Sequence, residues 1–323
     1  MFSRREKLLK RIQPATQRGL EIGPLDRPIV SMQEGHVRYV DFATTDELRL
    51  QRANDPTVQL ENLAPVHYVW GDKTLREAIG SDEEFDYVVA SHVIEHVPDL
   101  VGWLKEIAQV LKPKGVVAFI VPDKRYTFDR LRPETQVAEL VDSFLSRRRK
   151  PSFRQIFEHY AFHTRVDASQ AHAGQILDSN LIRVHDNSYA LKICEDAAQT
   201  GKYVDSHCWV FTPSSFLGLL RTLIEMELLN FRVVEFFPTH ENEIDFFVTL
   251  ERVGNDERAA QLTSLPKEFS GTLDVVSAPI ADPSSPALPT GVKAILTRVA
   301  IKELDRFPRV RMALKFFRDR VQR

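Results

Sequence analysis

The chain contains few cysteines and no long apolar runs. Among its 323 residues only Cys194 and Cys208 carry thiols, too few for a disulfide framework and without CxxC spacing. The longest apolar runs fall far short of the ~20 residues that a spanning helix needs, and the first residues lack the apolar core of a signal peptide. These absences argue against a disulfide-rich or membrane-spanning protein, and we expect a cytoplasmic one with unpaired thiols.

Glycine is scarce where a dinucleotide-binding protein requires it. Nicotinamide-dependent reductases hold a pyrophosphate with a G-x-G-x-x-G turn after the first strand. Here the turn after the first predicted strand, residues 18–22, reads EIGPLDRP from Glu21 onward. The missing glycines disfavour such a reductase, which we keep as an alternative function. Gly23 still permits close backbone approach to a ligand.

The charge is unevenly distributed along the chain. Residues 1–18 carry six Lys/Arg against one acidic residue, and residues 293–323 carry ten against three, although the whole chain has a net charge of −2. The middle is therefore acidic, which argues against the broad basic face of a nucleic-acid binder. The basic ends are open to two interpretations, namely solvated helix faces or peripheral contact with a membrane surface or an acidic partner.

One stretch, residues 85–126, predicts a βαβ unit: a strand, a polar turn, an amphipathic helix over 100–111, a Lys-Pro-Lys-Gly stop and a second strand. The polar residues of both strand ends, including His92 and Asp123, fall where open α/β sheets bind ligands. The stretch therefore indicates an enzyme.

Two acids follow other predicted strands. Asp41 ends the strand over 36–41, about 20 residues after Glu21, where an acid of a nucleotide-binding fold accepts hydrogen bonds from ribose hydroxyls. Asp72 follows the strand over 66–70 and could bind a purine amino group. Each has a second interpretation as the N-cap of the next helix.

The order of these motifs resembles class I S-adenosylmethionine-dependent methyltransferases of the small-molecule and glycan-modifying type (methyltransferase type 11-like). The residues that carry the resemblance are EIGP, the acid after the second strand, Gly-Asp, and FDYVVASHVIEHV followed by LKPKG. It implies a doubly wound, Rossmann-like α/β sheet of seven strands in the order 3-2-1-4-5-7-6, with the last strand antiparallel and a helical insertion after strand 5. It also implies S-adenosylmethionine as the methyl donor.

The resemblance places the cofactor by position. It implies that Glu21 and Gly23 lie by the methionine and ribose part, with Asp41 on the ribose and Asp72 near the adenine. It also implies that a further pair lies along the methionine side, Ser91 with His92. The family usually has a second glycine in its first motif, where this chain has Leu25 behind a proline that lacks an amide hydrogen, so the loop must follow another path.

The chemistry predicted is methyl transfer to an oxygen of a small polar acceptor, most simply a sugar or glycan hydroxyl. Orientation supplies most of the acceleration, and a general base takes the hydroxyl proton. The base candidates are His207 with Asp205 or His92, and Asp123; Glu95 and His96 are interpreted as residues that fix the turn. A binding module of the same fold, without catalysis, is the other alternative.

No metal is predicted. His159 and His163 are four residues apart and would share a helix face, but no third fixed ligand follows from the sequence. The predicted organisation is a basic N-terminal helix (1–15), a methyltransferase-like domain (16–253) with an insertion (127–204), a Pro/Ser/Ala-rich linker (254–290) and a basic amphipathic tail (291–323).

Overall fold

The computed structural model describes residues 2–80, 83–254 and 256–266. Seven strands lie in these ranges: β1 (Arg18–Ile22), β2 (His36–Asp41), β3 (Tyr68–Val69), β4 (Phe85–Ser91), β5 (Leu111–Pro122), β6 (Phe231–Phe237) and β7 (Asp245–Arg252). They form one sheet in the order β3-β2-β1-β4-β5-β7-β6. Strand β7 is antiparallel to both of its neighbours. The predicted fold class and strand order are therefore confirmed.

Ten helices accompany the strands in the described ranges: α1 (Arg4–Leu8), α2 (Thr45–Gln51), α3 (Leu75–Ile79), α4 (Leu100–Val110), α5 (Val137–Leu145), α6 (Phe153–Ala161), α7 (Ala168–His172), α8 (Asn187–Thr200), α9 (Pro213–Glu225) and α10 (Arg258–Thr263). None of them combines the length and apolar character that a bilayer-spanning helix requires.

The βαβ unit β4-α4-β5 forms the centre of the sheet. Its helix buries the apolar face that the 3.6-residue spacing predicts, with Val101, Leu104 and Ile107 at 1% exposure or less. The Lys-Pro-Lys-Gly segment is predicted to separate the helix from the second strand, but it does not. It belongs to β5, which begins at Leu111 and takes up an irregular register opposite β4.

Helix α1 is shorter than the predicted segment 3–12 and packs on the sheet. Leu8 and Ile12 are buried in a cluster with Tyr39 and Phe247. Lys7, which is only 2% exposed, pairs with Glu243 at 2.5 Å. The N-terminal segment is therefore an integral part of the domain.

The insertion after β5 is helical, as predicted, and contains α5 to α8. Helices α6 and α8 pack together around a small cluster that includes Ile156 and Cys194. The chain returns to the sheet through α9, whose predicted N-cap Thr212 accepts a hydrogen bond from the amide of Ser215. The insertion thus stands on the carboxyl side of β5.

The predicted linker is wrong at its start. Residues 258–263 form α10, whose Gln261 side-chain amide donates to the carbonyls of Leu229 (2.8 Å) and Phe231 (3.0 Å). Leu265 is part of the main core. The domain therefore extends at least to residue 266. The rest of the predicted linker and the tail over 291–323 lie outside the described residues.

Candidate active site

The candidate site lies along one edge of the sheet, where the parallel strands end. Strands β1, β2 and β4 end there at Ile22, Asp41 and Ser91. Because β7 runs the other way, its first residue, Asp245, pairs with Pro122 at the end of β5 and joins the same edge. This is the edge at which open α/β sheets bind ligands.

The turn after β1 is built by Glu21 and Gly23. Both Glu21 carboxylate oxygens accept backbone hydrogen bonds, from Ile29 (2.7 Å) and Val30 (3.1 Å). Burial raises the pKa of Glu21 to about 7 despite these bonds. The side chain predicted beside the cofactor thus holds the loop from within. Gly23 adopts φ +66°, and an added Cβ would lie 3.0 Å from Val93 Cγ2.

Asp41, the predicted ribose-binding acid, is the last residue of β2. It is 7% exposed, and its Oδ1 accepts from the Phe42 amide at 2.8 Å. Burial raises its pKa to about 6. The alternative that Asp41 caps α2 is wrong, because Thr44 caps that helix. Among the described residues no hydrogen-bond donor reaches Asp41 Oδ2.

Asp72 lies exposed on the turn after β3. The predicted helix over 73–79 begins only at Leu75, and its N-cap is Thr74. The capping alternative for Asp72 is thus also wrong. The position near the adenine stays a prediction.

Ser91 ends β4 and His92 follows it, and the two lie in different surroundings. Ser91 is half-buried. His92 has φ +53°, and its Nε2 lies 3.2 Å from Asp245 Oδ1 while Nδ1 lies 3.4 Å from Glu95 Oε1. Burial would lower the pKa of His92, but the two carboxylates outweigh it and raise the pKa to about 10. His92 is thus a clamped cation at neutral pH, which departs from its predicted role as a base.

A cavity of about 490 Å³ opens beside this edge. Its walls come from the strand ends and from the insertion: His92, Glu95, His96, Pro122, Thr127, Phe128, Thr164, Arg165, Val166, His207 and Ile244. The volume is in the range of small-molecule sites. Insertion residues thus face the strand edge.

His207 is held in this cavity by a carboxylate that the sequence did not single out. Its Nδ1 lies 2.5 Å from Asp129 Oδ2, and Asp129 also pairs with Arg132 at 2.9 Å. Burial would raise the pKa of Asp129, but the charges of His207 and Arg132 lower it well below its usual range. Because a carboxylate only accepts, Nδ1 donates and Nε2 is the free ring nitrogen.

His96 is held in the same way by the other predicted acid. Its Nδ1 lies 2.8 Å from Asp205 Oδ1, so Asp205 pairs with His96 and not with His207 as predicted. The His96 and His207 rings meet edge to face, with centroids 4.6 Å apart. Two carboxylate-held imidazoles therefore stand together in the cavity wall.

Asp123, the remaining base candidate, has its oxygens occupied within the protein. It is fully buried, pairs with Arg125 at 2.6 Å and accepts from the Thr239 hydroxyl at 2.8 Å. It caps the turn after β5, and both of its oxygens are engaged by described residues.

His159 and His163 do not share a helix face as predicted, because α6 ends at Ala161 and His163 lies beyond it, stacked on Phe128.

A family model described as a methyltransferase domain matches residues 1–165. The chain belongs to the methyltransferase domain family. Together with the strand order, this confirms the resemblance to class I S-adenosylmethionine-dependent methyltransferases. S-Adenosylmethionine is accordingly the methyl donor that membership implies.

Individual proteins resemble this chain either over a short segment or over most of its length at low sequence identity. A demethylmenaquinone methyltransferase of Staphylococcus aureus is 37% identical over 83 residues, 26% of this chain and 31% of that protein. The match thus spans about a third of the length of such curated relatives. A methyltransferase of Methanosarcina mazei (15% identity, TM-score 0.39) covers 76% of this chain and 96% of its own. One of Mesorhizobium loti (13%, 0.36) covers 74% and 93%.

The residues along the edge fit this cofactor. At Gly23 a ligand can approach the backbone closely, through space that a Cβ would fill. The buried Asp41 has one carboxylate oxygen that could accept from a ribose hydroxyl. S-Adenosylmethionine supplies an electrophilic methyl group on a sulfonium. For such a transfer a protein contributes orientation of the reacting groups and exclusion of water.

Proposed function

We propose that this protein transfers a methyl group from S-adenosylmethionine to an oxygen of a small polar acceptor, and that the acceptor is a sugar or glycan hydroxyl. The observation that carries the proposal is His207, held through Nδ1 by Asp129 with Nε2 free in the cavity wall. A hydroxyl bound there loses its proton to His207 as the S–CH₃ bond breaks and the O–CH₃ bond forms. The donor leaves as a neutral thioether.

The cavity supports a polar acceptor. Thr127, Thr164 and Arg165 line it together with the histidines, and Phe128 offers a ring beside them. Hydroxyl groups of a sugar match such a mixture of donors, acceptors and one aromatic face. Trp209 is not available to an acceptor, because it is buried in the core, where its Nε1 donates to the carbonyl of Val97 at 2.6 Å.

Cofactor binding is the first test. We expect S-adenosylhomocysteine to raise the melting temperature of the wild type, whereas NADH and NADPH do not. Gly23→Arg should abolish the shift, because φ +66° and the Val93 contact leave no room for a side chain. Gly201→Arg is the matched control, since Gly201 also has positive φ but nothing lies within 4 Å of an added Cβ. A wild type that does not respond to S-adenosylhomocysteine would sink the proposal.

Methyl transfer is the second test. Incubation with methyl-labelled donor and a panel of mono- and oligosaccharides should label a hydroxyl oxygen. His207→Gln should lower kcat by about 10²- to 10⁴-fold while the S-adenosylhomocysteine shift persists. Label found only on nitrogen or carbon of other acceptors would contradict the oxygen assignment. A binding module without catalysis would show the thermal shift and no transfer.

A further inference from the structure

Three side chains in the cavity wall are arranged as ligands around a common point. One ligand atom each from Glu95, His96 and His207 lies within 4.8 Å of the others. Ligand atoms around a tetrahedral zinc ion lie roughly 3.3 Å apart, given metal–ligand bonds of ~2.0–2.1 Å. Closing the set thus needs side-chain movements of only about an ångström.

Both histidines are already oriented for coordination. Asp205 holds His96 through Nδ1 and Asp129 holds His207 through Nδ1, which leaves the Nε2 atoms for a cation. Metal-binding histidines almost always donate their other ring N–H to a carboxylate or carbonyl, because this fixes the ring and raises its basicity. Two such pairs converge on one place here.

Glu95 supplies an independent observation. Its side chain is 0% exposed, and neither carboxylate oxygen has a hydrogen-bond partner among the residues that the structure describes. Its nearest opposite charge is His92, whose Nδ1 lies 3.4 Å from Oε1. That ion pair still leaves hydrogen-bonding capacity of both buried oxygens unfilled, and buried polar atoms of this kind call for a further partner.

We propose that Glu95, His96 and His207 bind one divalent transition-metal cation at the wall of the acceptor cavity. Two imidazoles and a carboxylate, with an open position toward a cavity, are the donor set of catalytic zinc and related sites. The proposal rests on the proposed methyl transfer to a hydroxyl and changes how the hydroxyl proton is removed. A bound cation would occupy the His207 nitrogen that acts as the base in the cation-free protein, and the acceptor hydroxyl would coordinate the open position. Its proton is then lost more readily, to solvent, because the cation stabilises the oxyanion.

The binding experiment uses the full chain, free of affinity tags and stripped with EDTA. Calorimetric titration with Zn²⁺, and with Mn²⁺ followed by electron paramagnetic resonance, should show one ion per chain; Mg²⁺ is a third probe. Glu95→Gln and His207→Gln should each weaken binding by 100-fold or more. Asp129→Asn, which leaves the ligands in place, should weaken it by about 10- to 100-fold. His163→Ala is the matched control, because His163 stacks on Phe128 nearby but is outside the ligand set.

The outcomes separate the metal site from the proposed function. Gly23 and Asp41 are not ligands, so stripped protein and every folded ligand variant should still respond to S-adenosylhomocysteine. That response also shows that a variant has folded, and if Glu95→Gln fails this check, His207→Gln decides. Unchanged Zn²⁺ affinity in the folded variants, equal loss in His163→Ala, or full transfer activity after EDTA would overturn the metal site alone. Loss of methyl transfer on stripping, restored by added cation, would support it.

Discussion

At the residue scale, the groups that contact each carboxylate of the candidate site determine whether that carboxylate is charged. Asp129 is ionised because His207 and Arg132 contact it. Glu21, by contrast, is buried with only two backbone amides as partners. Its pKa of about 7 therefore makes the turn after β1 sensitive to pH near neutrality.

We predict that Glu21 makes the folded protein less stable as pH rises. Between its ordinary pKa of 4.5 and its folded pKa of about 7, the folded state binds more protons than the unfolded state. The free energy of unfolding therefore falls as pH rises through this window. Urea unfolding at pH 5 and pH 8 should show that the stability of wild type relative to Glu21→Gln drops by on the order of 2 kcal/mol.

The control for this prediction is Glu34→Gln, the same substitution in the same loop. Hydrogen bonds from Ser31 lower the pKa of Glu34, so its contribution runs the other way. If the difference in unfolding free energy between wild type and Glu21→Gln were the same at pH 5 and pH 8, the prediction that burial raises the pKa of Glu21 would be contradicted.

At the element scale, helices that the sequence left unassigned complete the core. Helix α10 lies in the predicted linker, yet it closes the β6 edge through Gln261, and Leu265 enters the core behind it. The pattern of prolines and small residues over 254–290 concealed it because the helix is only six residues long. Tertiary contacts, rather than propensity, hold such a helix.

We predict that the stability of the domain depends on whether the chain includes α10. A chain ending at residue 253 should lose on the order of 3 kcal/mol of unfolding free energy, because it lacks the Gln261 hydrogen bonds and the buried Leu265. A chain ending at residue 266 should match the full chain. Denaturant midpoints measure both, and Leu265→Ala in the full chain should cost about 2–5 kcal/mol. Equal stability of the two shortened chains would mean that α10 contributes nothing.

The sequence predicts most elements of the fold but not which side chains of the site pair with each other. Strands such as β2 and β6 follow from apolar runs bounded by turns, and the strand order followed from the resemblance. The carboxylates that pair with the site histidines could not be predicted, since Asp129 and His207 are 78 residues apart. Nothing in the sequence distinguishes Asp129 from Asp123 as the functional acid. Only the return of the insertion over the sheet edge decides which carboxylate meets which imidazole.

At the scale of the whole molecule, acids of the domain pair with most cations of the basic N-terminal segment. Five of the six Lys/Arg of residues 1–18 form ion pairs: Arg4–Asp245, Arg5–Glu34, Lys7–Glu243, Arg11–Glu235 and Arg18–Glu83. The ten Lys/Arg and three acidic residues of 293–323 lie outside the described residues. We propose that this segment is where a peripheral membrane or an acidic partner binds.

We predict that residues 267–323 carry any affinity for acidic membranes. In sedimentation with vesicles of phosphatidylserine and phosphatidylcholine, the full chain should bind and a chain ending at residue 266 should not. Binding should weaken between 50 and 500 mM salt, because surface charges are screened over ~10 Å at 0.1 M. Neutral phosphatidylcholine vesicles are the control. Equal partitioning of the two chains would remove the membrane proposal.

The pairing of Arg4 with Asp245 has a consequence for biosynthesis. The two residues are 241 positions apart, and β7, which begins at Asp245, lies between β5 and β6. While the chain is being translated, β5 therefore keeps an open hydrogen-bonding edge until almost the whole domain has left the ribosome. We expect the nascent protein to need protection from edge-to-edge association, and the first helix to dock among the last events of folding.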